Sequence, residues 1–126
     1  MLSLPPAVRV FLCTQASDMR RSFDGLAMLA EHVMRGDPFS GHLFVFHNRR
    51  ADRVKMLYWD RDGYAIYYKR LEKGVFCFPA GRAGATSVEL EAAELVMLLE
   101  GVDVARVQRR ERFVPPRRAE ALAPAK

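Results

Sequence analysis

The stretch that decides the fold is "NRRADRVKMLYWDRDGYAIYYKR", residues 48–70. Two β-prone runs, 52–59 and 64–71, flank "DRDG", and Gly63 suits a tight turn, so the stretch predicts an antiparallel hairpin. Side chains alternate between the faces of a strand. Val54, Met56 and Tyr58, with Tyr64, Ile66 and Tyr68, are expected to form the core side. Lys55, Leu57 and Trp59, with Ala65, Tyr67 and Lys69, are expected to share the other side. Arg49, Arg50, Arg53 and Arg70 stand at its margins. A hairpin this rich in cations and rings poses the question of what the outer side meets.

Working outward, "VRVFLC" (8–13) and "HLFVFH" (42–47) read as buried strands, and "GVFCFP" (74–79) as a short fifth one. Between the first two, Phe23, Leu26, Ala27, Ala30, Val33 and Met34 fall on one face of a helix. Asp18 is its expected N-cap and Gly36 its stop, and Gly25 inside it hints at close packing. Thr86 and Glu89 match a capping box for a last helix running to Leu99 or Glu100. The expectation is an α+β domain over residues 1–105, with the order strand, helix, strands, helix. A small, mostly antiparallel sheet of four or five strands would carry both helices on one face. Residues 106–126, basic and interrupted by proline, are expected to form a disordered tail.

The 126 residues carry a net charge of +5, and its placement matters. Residues 106–126 hold seven cations against two acids, so residues 1–105 balance. Within that body, 49–73 carry eight cations and four acids, while 86–103 carry five acids and no cation. The high isoelectric point therefore reports mostly the tail. No apolar run is long enough to span a bilayer, and Pro5 and Pro6 break the N-terminal run as a secretory leader, so a cytoplasmic protein is expected. Cys13 and Cys77 have no paired-cysteine spacing and read as buried thiols.

Catalytic chemistry is absent from the pattern. Asp60 and Asp62 flank a turn, where aspartate bonds its own backbone. His32, His42 and His47 lack metal-ligand spacing, and neither a phosphate loop nor a dinucleotide fingerprint occurs. No catalytic residue, metal or cofactor is expected. Two binding surfaces remain. One is the hairpin: Arg49, Arg50, Arg53, Lys55, Trp59, Tyr67, Lys69 and Arg70 combine cations for phosphates with rings for bases or sugars. The same stems could simply cover an exposed sheet face. The other is the last helix, where Leu90 and Met97 lie off the core stripe of Val88, Ala92, Leu95, Val96 and Leu99. With Glu91 and Glu94 on its rim, that ridge could dock a protein partner.

The blocks "DMRRSFDGLAMLA", "DPFSGHLFVF", "NRRADRVKMLYWDRDGYAIYYKRLEKGVFCFP" and "LLEGVD" occur in this order across residues 8–104. Together they resemble the small accessory protein, of the TnpB or second-open-reading-frame type, of bacterial insertion sequences of the IS66 family. The matching positions include Arg20, Phe23, Asp24, Gly25, Gly41, Trp59, Asp60 and Gly63. The resemblance implies a non-catalytic role in transposition, beside a separate transposase that carries the strand-transfer carboxylates. It implies DNA, that transposase and another accessory protein as partners, with no membrane and no small-molecule substrate.

Overall fold

The computed structural model describes residues 7–101. Five strands and two helices follow the chain as β1 (Val10–Cys13), α1 (Phe23–His32), β2 (Leu43–His47), β3 (Arg53–Asp60), β4 (Gly63–Arg70), β5 (Ser87–Leu90) and α2 (Ala92–Leu99). They form one sheet in the order β4-β3-β2-β1-β5. β1 and β2 run parallel, joined through α1, and the other pairs are antiparallel. The α+β class and the mostly antiparallel sheet thus match the expectation. The domain boundary expected at 105 and the basic tail lie outside the described residues.

The helices do not share a face. Val10, Leu12, Leu43, Val45, Val54 and Met56 pack with Leu95, Leu98 and Leu99 of α2. Their strand neighbours Cys13, Phe44, Phe46 and Leu57 point the other way and pack with Leu26 and Ala30 of α1. Both faces of the central strands are therefore buried, which is why β1 and β2 read as apolar runs instead of alternating.

Two segments exchanged roles. Residues 74–79 are not a strand. Phe76 donates its amide to the Ala51 carbonyl (2.7 Å) and buries its ring on the α2 side of the core. The fifth strand is Ser87–Leu90, paired antiparallel with β1. The Thr86–Glu89 spacing imitated a cap, but the Glu89 carboxylate instead binds the Arg9 guanidinium. The capping box sits further on, where the Glu91 amide donates to the Glu94 side chain (3.1 Å).

This shift removes the expected docking ridge. Leu90 is a strand residue, 4% exposed, in the core under α2. Met97 and Glu94 are half-buried and Glu91 is exposed. Leu98 joins the core while Val96 faces outward, so the apolar stripe of the helix is Leu95, Leu98 and Leu99.

At α1, the N-cap is Ser22, not Asp18. The chain reverses after the helix with Arg35 in the left-handed region (φ 61°). Gly36 is required for a different reason than a helix stop. A Cβ there would lie 2.6 Å from the Phe44 ring. Cys77 is exposed, against the expectation of a buried thiol, whereas Cys13 is buried. Burial raises the Cys13 thiol pKa.

Gly36→Ala is expected to cost about 1–3 kcal/mol through overpacking against Phe44, read as a lower urea midpoint with an unchanged slope. Leu90→Glu is expected to cost about 4 kcal/mol or more by burying an unpaired charge. Loss of the cooperative unfolding transition in circular dichroism checks this, and a variant as stable as the parent would contradict the β5 assignment.

Candidate anion-binding cleft

β1 and β2 run parallel, so their carboxyl ends lie side by side, and the loops that follow them meet there. In open sheets that end is where ligand crevices form. The Ser17 amide donates to the His47 carbonyl (2.8 Å), locking the two loops together. The two His47 ring nitrogens lie 3.1 Å from the Cys13 and Asn48 carbonyl oxygens, one of which accepts the ring N–H, and the ring stacks on Phe78.

The turn after β2 is held by Asn48. Its side-chain oxygen accepts from the Asp52 and Arg53 amides (3.1 and 3.0 Å), and its amide nitrogen donates to the Asp52 carboxylate (2.6 Å). Ala51 closes the turn in the left-handed region (φ 58°). On the facing loop, Asp18 accepts from the Arg20 amide (2.9 Å) and is gripped by the Arg20 guanidinium (2.7 Å at the closest pair). Buried Met19 anchors that loop in the α1 side of the core.

The result is an open cleft of about 410 Å³ lined by Ser17–Arg20 and by Asn48, Arg49, Arg50, Asp52 and Arg53. It brings together two stretches separated in sequence by α1 and β2. Its two carboxylates are already engaged. Hydrogen bonds from the Arg20 side chain, and then its amide, hold Asp18 at about 2. The Asn48 hydrogen bond, aided by Arg50 and Arg53, lowers Asp52 as well. Arg49 and Arg50 are exposed, and among the described residues neither forms an ion pair. Guanidinium forks around a concavity fit phosphate oxygens.

Of the hairpin residues expected to share one surface, only Arg49, Arg50 and Arg53 line this cleft. The face assignment fails because register, not sequence offset, decides which residues oppose each other. Lys55 pairs with Tyr68 and Trp59 with Tyr64, whereas Val54 pairs with Lys69 and Met56 with Tyr67. Lys55 and Trp59 therefore lie on the α1 side, and Tyr67 and Lys69 on the α2 side. Lys55 is 7% exposed; its ammonium donates to the Arg21 carbonyl (2.7 Å) and lies over the Tyr68 ring. Lys69 donates to the Leu99 carbonyl (3.0 Å), and Arg70 pairs with Glu72. Tyr67 packs against the α2-side core.

Trp59 meets Tyr64 and Phe39 with ring centroids 5.0 and 5.1 Å apart. Sequence reasoning missed this cluster, because Phe39 sits in a loop; "DPFSG", residues 37–41, was the available signal. Gly41 is in the left-handed region (φ 84°), above the Trp59 carbonyl. Burial raises the Tyr64 phenol, helped by Asp24, Asp37 and Glu31. Phe23 and Asp24 open α1, and an added Cβ on Gly25 would touch the Arg21 side chain at 3.2 Å. Asp60 and Gly63 close the β3–β4 turn. Among the described residues no cluster of three metal-ligating side chains occurs, and no helix is long and apolar enough to cross a membrane.

A match to the family described as IS66 Orf2 like protein spans residues 8–109. The chain belongs to that family. It is 36% identical over 110 residues to the uncharacterized protein y4jC of Sinorhizobium fredii, covering 87% of this chain and 92% of that one. It is also 36% identical over 103 residues to y4hO of the same organism, covering 82% and 88%. No solved structure matches. Membership supports a role in transposition accessory to a transposase, and the family is not one of known enzymes. Both walls of the cleft fall inside the matched span.

Asp18 is expected to titrate near pH 2 by carboxyl-detected NMR, against an ordinary value of 3.8. A lowered folded pKa stabilises the fold above the ordinary value, and that contribution is lost as pH falls through the folded one. Arg20→Ala, which keeps the residue-20 amide bonded to Asp18, should raise the midpoint toward the ordinary range and reduce this pH dependence. An unmoved midpoint would show that Arg20 does not hold the carboxylate.

Proposed function

We propose that this IS66-family accessory protein assists transposition by holding the DNA backbone in the arginine cleft. The observation that carries the reading is that Arg49 and Arg50, exposed and, among the described residues, without an ion pair, line a concavity with Arg53, while Arg20 and Asn48 engage its two carboxylates. Phosphate contacts of this kind position a protein on a duplex and carry no sequence information themselves. The cleft presents no ring for base stacking, so binding is expected to be sequence-tolerant. The seven cations of residues 106–126 add long-range attraction. Lys55 and Lys69, whose ammonium groups bond main-chain carbonyls, contribute little.

A second reading, contact with the transposase, is favoured by a different observation. Phe39 is 60% exposed while stacked on Tyr64, an aromatic surface separate from the cleft. The two readings are compatible, since one face would hold DNA and the other a protein.

Fluorescence anisotropy of a labelled duplex with the full chain, across a salt series, tests the main reading. Affinity should fall linearly with salt on logarithmic axes. Replacing Arg49 and Arg50 together with alanine should lower the slope by about 2 and weaken binding to element-end and scrambled duplexes alike. Lys69→Ala should leave the slope unchanged. An unchanged slope in the double arginine variant would remove the cleft from DNA binding.

A further inference from the structure

β4 ends the sheet on one side, and its outer edge is open. The Leu71 amide donates to the Asp52 carbonyl at 2.7 Å, which makes these two residues a hydrogen-bonded pair of the β3–β4 ladder. Pairs alternate along an antiparallel ladder. Ala65, Tyr67 and Lys69 therefore spend their main-chain groups on β3, while Tyr64, Ile66 and Tyr68 turn theirs outward. Among the described residues, no main-chain or side-chain group bonds those outward amides and carbonyls.

Such an edge is normally blunted by charge, proline, a bulge or shortness. β4 has none of these over Tyr64–Tyr68. Its pairing with β3 runs unbroken from Gly63 to Arg70, and its centre "YAIYY" is uncharged. The opposite edge is managed differently. β5 is only four residues long, and Glu89 on it is tied to Arg9.

We propose that β4 pairs antiparallel with β4 of a second copy of this chain, joining two sheets across a two-fold axis at Ile66. Charge complementarity selects the occupant. The register centred on Ile66 sets Arg70 opposite Asp62 of the second copy, and by symmetry does so twice. It sets Tyr64 opposite Tyr68, so that the uncharged centre meets itself. About six main-chain hydrogen bonds would satisfy the outward groups of both strands. The side chains at both charged positions are exposed in the single chain, where Arg70 holds a solvent-facing pair with Glu72 that Asp62 of the second copy would join, and Tyr68 is 46% exposed. The cleft lies beyond the Arg70 end of the hairpin and meets this edge at one point, where the Arg53 guanidinium donates to the Tyr68 hydroxyl (3.2 Å).

The test is sedimentation velocity of the full chain across a concentration series, paired with amide hydrogen exchange. A dimer is expected, with the Tyr64, Ile66 and Tyr68 amides protected only at concentrations where it forms. The Ala65, Tyr67 and Lys69 amides should be protected throughout. Tyr68→Pro removes an outward donor and no main-chain bond to β3, and should yield a folded monomer, whereas Tyr68→Ala, which loses the same ring beside Lys55 but keeps the outward amide, should still dimerise. Asp62→Arg or Arg70→Asp alone should weaken the dimer about five- to thirty-fold, and the two together should restore it. Three results would overturn the proposal. The chain could remain a monomer at every concentration. A dimer could form while the three outward amides exchange freely. The paired charge swap could associate no better than either single change.

Discussion

The parallel pairing of β1 with β2, in which Val10, Phe11 and Leu12 align with Leu43, Phe44 and Val45, constrains everything else in this fold. Parallel neighbours cannot be joined by a turn and need a crossover long enough to return the chain. α1 is that crossover, and it must lie on one face of the sheet. Once it covers that face, the other must be closed by something else, and α2 with Phe76 closes it. The same pairing sets the loops after β1 and β2 at one end of the sheet. The arginine cleft is thus a consequence of strand direction: residues 17–20 and 48–53 meet because their strands point the same way.

The elements with strong local signals were legible in the sequence. The hairpin, both central strands and α1 appear within a residue or three of their expected limits. What was not legible depended on pairing across distance. Ser87–Leu90 looks like the entrance to a helix because Thr86 and Glu89 have the right spacing. Only the presence of β1 alongside, with Arg9 reaching Glu89, turns it into a strand. Conversely, "GVFCFP" has the composition of a strand but joins no edge of the sheet, because its Phe76 amide is spent on the Ala51 carbonyl and its ring on the α2-side core. Its aromatics serve as plugs instead. The placement of both helices on one face was an error of the same kind, because a central strand apolar on both sides is evidence for two covered faces.

The site was half legible. The arginines of "NRRADR" were identified as a binding group, yet their counterpart Arg20 was named only as a position matching the family pattern. Nothing in the sequence announces that Ser17 bonds His47 and so closes the cleft. The hairpin partition failed on register. A two-residue turn between Asp60 and Gly63 pairs Trp59 with Tyr64, and every other pair follows from that. Counting alternation along each strand separately cannot supply this relation. The turn must be placed before the faces can be matched.

The register also explains why the hairpin holds so many cations without forming one basic face. Lys55 and Lys69 are on opposite sides, and each binds a main-chain carbonyl next to a different helix. Lys55 holds the Arg21 carbonyl just before α1, and Lys69 holds the Leu99 carbonyl at the end of α2. A cation at a helix C-terminus is favoured by the helix dipole as well as by the orphan carbonyls there. The flexible stem and compact ammonium of lysine suit a single carbonyl at the end of a long reach, whereas arginine's rigid fork suits an anion with several oxygens. The chemistry of the two residue types therefore divides the hairpin's charge by task. Its two lysines fasten the helices to the sheet from either side, and Arg49, Arg50 and Arg53 remain at the mouth of the cleft. Exchanging lysine for arginine at 55 would force a planar five-donor group into a site with one acceptor and a ring. Of the two lysine positions, that one has the least room to accept it, because Lys55 is the buried one.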